Sequence, residues 1–176
     1  MAEQASGQQL EMPLTDKNLL VPTLNKYGRM LTKIIEPVPS FLEVAKRSND
    51  WVLDIGAAYG VNTLAALEAG AKVVANDLDS RHLEILSSKV SPEHRDNLRT
   101  VCGAFPDVDF NGQKFSAILA CRVLHFFDGP TLERAAKTIF DLLLPGGTVY
   151  VRTITPFLGV STRMREEYEQ RKATGE

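Results

Sequence analysis

Two carboxylates and two glycines stand where a chain can gather a nucleoside. In VLDIGAAYGVNTLAAL, Val52 to Leu67, an apolar strand-like run carries Asp54, then Gly56 and Gly60, and passes into a helical pattern. Glycines at such a turn let the backbone bend sharply or approach a ligand closely, and the next helix begins with its amide groups free. A dinucleotide turn would place glycines at 56, 58 and 61, whereas this chain has Gly56, Ala58 and Val61. Asp54 beside the turn repels a diphosphate but suits an ammonium group. Asp77, in AKVVANDLDS, follows Gly60 by seventeen positions. An acid at the end of a second strand accepts hydrogen bonds from ribose hydroxyls. Asp79 is the rival acid, and it reads as the N-cap of a helix starting near Ser80.

These residues need a parallel sheet to hold them. From Trp51 onward short β-rich runs alternate with helical patterns, which is the pattern of βαβ units. Five strands are expected, at about Trp51 to Asp54, Lys72 to Asn76, Leu98 to Cys102, Phe115 to Ala120 and Thr148 to Thr153. The fold class that follows is α/β, a doubly wound, mainly parallel sheet in three α/β/α layers, with ligands beyond the carboxyl ends of the strands. A helix opening near Pro130 has one face made of Leu132, Ala135, Ala136, Ile139, Phe140 and Leu143, and PGG at Pro145 to Gly147 ends it. Residues 1–12 read as a loose polar tail. Residues 13–50, with helical spacing broken by Pro22, Pro37 and Pro39, predict two short helices covering the cleft, and 51–176 form the ligand-binding domain. The charged run STRMREEYEQRKATGE reads as a solvated helix.

The chain resembles the class I S-adenosylmethionine-dependent methyltransferases, whose domain is Rossmann-like, over about Trp51 to Thr153. The resemblance rests on LDIGAAYG, ANDLD, FSAILACRVLHFF and LLLPGGTVYV in that order. It implies S-adenosylmethionine as cofactor and S-adenosylhomocysteine as product. It places Asp54, Gly56 and Gly60 around the methionine part, Asp77 at the ribose, and Ala104 and Phe105 at the adenine, and it implies that Ala57, Ala58, Tyr59 and Leu78 also bind the cofactor. Arg122 and Val123 would line the sulfonium end, with Tyr27 and Arg29 closing the site. Many relatives carry an acid in the third-strand loop. Here Ala104 stands there and Asp107 lies three positions on, so adenine recognition is expected from backbone amides and Phe105. The family's sheet also ends in an antiparallel strand pair, which the residues after Thr155 are too few to supply, so either the chain has been cut or the sheet ends early.

His125 in VLHFF is the candidate general base, since imidazole titrates near neutral pH; a packed or solvent-facing histidine fits the same sequence. His82 and His94 read as helix and loop surface. Tyr59 either touches cofactor or covers the cleft edge, and Arg122 either meets an anionic acceptor or pairs with Asp128. The family reading implies in-line methyl transfer to a small-molecule acceptor, with protein or RNA next. A cofactor-binding module without chemistry and a nicotinamide-dependent oxidoreductase are the competing readings.

Composition narrows the partners. With 176 residues, a net charge of −2 and a pI near 6.0, the chain has no basic excess to attract DNA. No apolar run reaches bilayer-spanning length and the start lacks a secretory pattern, so a cytoplasmic location and no membrane are expected. Cys102 and Cys121 have no zinc-type spacing and read as buried free thiols, with no metal site.

Overall fold

The computed structural model describes residues 10–17, 19–155, 157 and 162–174. Its centre is a five-stranded parallel sheet built from β3 (Trp51–Ile55), β4 (Lys72–Asp77), β5 (Leu98–Cys102), β6 (Phe115–Cys121) and β7 (Leu143–Arg152) in the order β5-β4-β3-β6-β7. The chain enters in the middle, winds outward to β5, returns past β3 and winds outward again to β7. Its direction therefore reverses between β3 and β6, where such sheets bind ligands.

Strict alternation explains the layers. Val52, Val73, Ala75, Ala117 and Leu119 face one core with α1 (Val38–Ala45), α2 (Val61–Glu68) and α3 (Ser80–Ser88). Leu53, Ile55, Val74, Ile118 and Ala120 face the other, covered by Ala135 and Ile139 of α4 (Gly129–Leu142) and by Phe105 and Phe110 from the loop after β5. Central strands buried on both faces read as continuous apolar runs, which is why they were visible in the sequence.

The structure corrects the reading of residues 13–50. In place of the first expected helix there is a hairpin, β1 (Leu20–Pro22) paired antiparallel with β2 (Arg29–Leu31), and α1 is the second helix, with Pro39 in its first turn. Turn chemistry overrides the helical spacing: the Thr23 side chain both donates to the Gly28 carbonyl and accepts from the Gly28 amide, at 2.9 and 3.0 Å. Asn25 accepts from the Tyr27 amide, and Lys26 adopts φ 63°.

Two further expectations change. β7 begins at Leu143, five residues early, because Pro145 to Gly147 sit in a register shift against Phe115 and Ala117 instead of in a loop. Only part of the α4 face is covered: Ala135 and Ile139 are buried, while Leu132 and Phe140 are exposed. Among the described residues β7 pairs only with β6, and Val149 and Val151 are partly exposed. The charged run forms α5 (Thr162–Thr174). Both cysteines are free, but Cys102 is exposed, since its side of the edge strand β5 is left open. No helix among the described residues is long and apolar enough to cross a membrane.

Gly60 and Gly70 both adopt left-handed conformations, φ 84° and 88°, yet only Gly60 is crowded: a methyl there would run into the buried Leu86 side chain, whereas nothing lies near Gly70. Gly70→Ala is expected to cost about 1 kcal/mol from backbone strain, and Gly60→Ala at least about twice that. Urea unfolding of the two variants measures the difference.

Candidate active site

The first loop is organised by Asp77. Its Oδ2 accepts from the Ala58 amide at 2.8 Å and its Oδ1 from the Asp79 amide at 3.0 Å. Oδ1 also lies 2.9 Å from Nδ1 of His82, which is 1% exposed. The other ring nitrogen, Nε2, accepts the Leu24 amide at 3.0 Å. A nitrogen that accepts cannot carry a proton, so His82 is neutral with its proton on Nδ1, donating to Asp77. His82 is therefore not the surface residue expected. It lies three and four positions before Ile85 and Leu86, on the buried face of α3, and that spacing was the signal that could have revealed it.

Through His82 the N-terminal hairpin is tied to the acid at the end of β4. Tyr59, fully buried, stacks edge-on against His82 with ring centroids 4.9 Å apart and donates its hydroxyl to the Pro22 carbonyl at 2.9 Å. At the other end of the hairpin turn Gly28 packs on the Phe126 ring, in the loop after β6. The hairpin thus reaches from the start of α3 to the loop after β6, over the carboxyl ends of the strands. Tyr27 is 70% exposed and Arg29 is paired with Asp16 at 3.3 Å, so neither is brought to the acids.

Asp54 is 1% exposed and its Oδ2 accepts the Thr63 hydroxyl at 2.7 Å. The N-cap of α2 is Gly60, which has no side chain to offer, and the acid at the end of β3 meets the helix's first turn from outside, at the hydroxyl and backbone of Thr63. Burial pushes the Asp54 carboxyl up to about 7, against the Thr63 hydrogen bond, and the charge of Asp77 adds to the rise. No described cation offsets it. Ala58 adopts φ 47°, a left-handed conformation fastened by its bond to Asp77. Gly56, at φ 70°, makes room for Val123, which would stand 3.0 Å from an added methyl. Ala57 is buried, its amide donating to the Asn76 carbonyl at 2.9 Å.

Leu78 is 52% exposed and Ala104 is also exposed; they follow neighbouring strands, with Asp77 opposite Cys102 in register. Asn76 holds this pair of ends together by donating to the carbonyls of Val101 and Gly103 at 2.9 and 3.0 Å, a role the sequence reading missed. Phe105 points the other way, buried against Phe110 at 6.5 Å between centroids. Asp79 caps α3 as expected, accepting the Arg81 amide.

At the ends of β6 and β7 the charge reverses. Arg122, at φ 62°, donates its amide to the Arg152 carbonyl, and Arg152 donates to the Glu36 carbonyl at 2.7 Å. Asp128 accepts the Thr131 amide at the start of α4 at 2.8 Å, and it is this cap, not Arg122, that engages it. His125 is half-buried; burial, and then the Arg122 charge, hold its pKa below the usual value, so it is neutral at neutral pH. An open groove of about 330 Å³ beside Arg47, Ser48 and Pro145 lies at the amino ends of the strands, away from these groups. No cluster of three metal-binding side chains occurs among the described residues.

Comparison with known proteins agrees with this fold. A family model described as a methyltransferase domain matches residues 52–147. The chain is 32% identical over 107 residues to a cypemycin N-terminal methyltransferase of a Streptomyces species, covering 60% of this chain and 42% of that protein. Among solved structures, the CcbJ methyltransferase of Streptomyces caelestis superposes with a TM-score of 0.58 at 22% identity, covering 64% of this chain and 48% of that one. The glycopeptide N-methyltransferase MtfA, complexed with S-adenosyl-L-methionine, gives 0.56 at 18% identity, covering 65% and 57%. The chain spans less than half the length of the curated relative it matches.

Asp54 binds its proton more tightly folded than unfolded. Its contribution to stability is therefore complete below its ordinary pKa of 3.8 and is lost as pH rises through about 7. The melting temperature of the ligand-free protein is expected to fall across this interval, and Asp54→Asn to flatten the dependence. His82→Ala strands the Leu24 amide and leaves Asp77 Oδ1 with the Asp79 amide alone. A loss of about 2–4 kcal/mol and faster protease cleavage in the hairpin are expected, read by denaturation and timed digestion.

Proposed function

The chain belongs to the methyltransferase-domain family, and on that premise we propose that it transfers a methyl group from S-adenosylmethionine to a nucleophile on a small molecule. Peptide-like amines are the acceptor class suggested by the names of the cypemycin and glycopeptide methyltransferases. The observation that carries the reading is the pair of buried acids at neighbouring strand ends, one of them uncompensated by any described cation.

The donor set fits an adenosyl amino acid. Asp54 takes its ammonium, which lowers the carboxyl's pKa and releases a proton. Asp77 Oδ2, with one amide bound, keeps a lone pair for a ribose hydroxyl. Exposed Leu78 and Ala104 flank the adenine from adjacent strand ends, a slot without the Phe105 ring. These placements deepen the family reading and displace the nicotinamide alternative, whose diphosphate Asp54 disfavours.

When bound, S-adenosylmethionine supplies an already activated methyl on a sulfonium, so the protein's work is alignment and exclusion of water. The hairpin resting over the strand ends, tied down at His82, Tyr59 and Phe126, supplies the cover. His125, neutral at neutral pH, accepts the proton that an amine or hydroxyl acceptor must lose.

Calorimetry with S-adenosylhomocysteine tests the reading. One site is expected, with an enthalpy that depends on buffer near pH 7 because a proton leaves Asp54, and Asp54→Asn should abolish that dependence. Binding of nicotinamide dinucleotide in preference to S-adenosylhomocysteine would refute the assignment. Binding without a methyl-mass gain on any amine, hydroxyl or peptide acceptor would make the domain a non-catalytic module.

A further inference from the structure

Two buried nitrogens at the end of β6 have no hydrogen-bond partner: Nε of Arg122 and Nδ1 of His125. An unmade bond of this kind raises the free energy of the folded state, more so for a charged group, and calls for a partner that completes it. Both belong to one short turn, close enough that the Arg122 charge acts on the His125 ring.

The backbone beneath them is strained as well. Arg122 holds φ 62°, a left-handed conformation that strains any residue but glycine. Arg152, opposite Cys121 in register, adds a second guanidinium that repels the first. Among the described residues neither arginine has a carboxylate at ion-pair distance, and Asp128, the nearest acid in sequence to Arg122, is occupied as the cap of α4. Burial of Arg122, repulsion from Arg152, strain and two unpartnered nitrogens all raise the free energy of the empty site. A single negative group placed between the two side chains relieves three of them at once.

We propose that Arg122 and His125, backed by Arg152, form a carboxylate-binding site at the methyl-transfer end of the cleft, and that the carboxylate belongs to the acceptor. This deepens the methyltransferase reading above and rests on it for the word acceptor alone. Asp54 and Asp77 already provide the negative groups for the cofactor's cation and sugar. The arginine side of the cleft is then free to select acceptors with a carboxylate near the reacting atom, such as amino acids or a peptide with a nearby acidic group. The guanidinium fixes the anion by two parallel hydrogen bonds, and the His125 ring stays beside the nucleophile.

The test uses acetate as the probe. The full chain, saturated with S-adenosylhomocysteine, is titrated with sodium acetate replacing chloride at constant ionic strength, and the Nε–H of Arg122 and the ring signals of His125 are followed by NMR. A saturable shift is expected, with affinity reduced at least tenfold in Arg122→Gln and unchanged in Arg134→Gln on the exposed face of α4; melting curves confirm that the variants are folded. Equal responses to acetate and chloride, or none, overturn the site. If acetate binds only without cofactor, and Arg122→Gln weakens S-adenosylhomocysteine at least tenfold but not 5′-methylthioadenosine, which lacks the carboxylate, then assignment to the acceptor is overturned. If S-adenosylhomocysteine fails to bind at all, the methyltransferase reading falls while the acetate titration of the ligand-free chain still decides the anion site.

Discussion

The buried carboxylate of Asp77 is the constraint on which the rest depends. A charged group at 6% exposure must be surrounded by donors, and three segments supply them: the first loop through Ala58, the start of α3 through Asp79, and the side chain of His82. Because His82 accepts the Leu24 amide on its far side, the N-terminal hairpin joins the same network. Strand end, ligand turn and cover are thus held in one geometry by one acid. A partly satisfied network of this kind would be worse than none, which makes each donor hard to remove alone.

Charge is divided across the cleft in a way that suits a zwitterion. The ends of β3 and β4 present Asp54 and Asp77; the ends of β6 and β7 present Arg122 and Arg152. Neither pair neutralises the other within the described residues; the two acids are buried, where their fields are strong, while Arg122 is half-buried and Arg152 exposed. The left-handed residues Ala58 and Arg122 lie at the ends of this division, one stabilised by a protein carboxylate and the other without such a partner. That contrast separates the Ala58 turn, fastened by Asp77, from the Arg122 turn, whose side chain has no carboxylate partner among the described residues.

The sheet was legible because its central strands are buried on both faces and its crossover helices have apolar stripes; all five strands were anticipated, and four of them kept their starting residues. Asp54, Gly56, Gly60 and Asp77 were legible as a group because they end adjacent strands. The hairpin was not, since Leu19, Leu20, Leu24 and Leu31 mimic helical spacing while the decisive contacts are the Thr23 side chain and a left-handed Lys26. His82 escaped because a histidine on an apolar face earns its burial only from partners distant in sequence: Leu24 is 58 residues away. The fate of Arg122 rested on Asp128, and only the structure shows that this acid caps a helix.

The measurement that reaches the central claim most directly is a binding cycle between Asp77 and the ribose hydroxyls. S-adenosylhomocysteine and its 2′,3′-dideoxy analogue are compared by calorimetry on the natural chain and on Asp77→Asn. If Asp77 both orders the turn and receives the sugar, loss of the hydroxyls weakens binding to the natural chain by about 1–3 kcal/mol, the variant feels much less of that loss, and the coupling is about 1 kcal/mol or more. An equal loss in both proteins, with no coupling, would show that Asp77 serves the fold alone and that the sugar lies elsewhere.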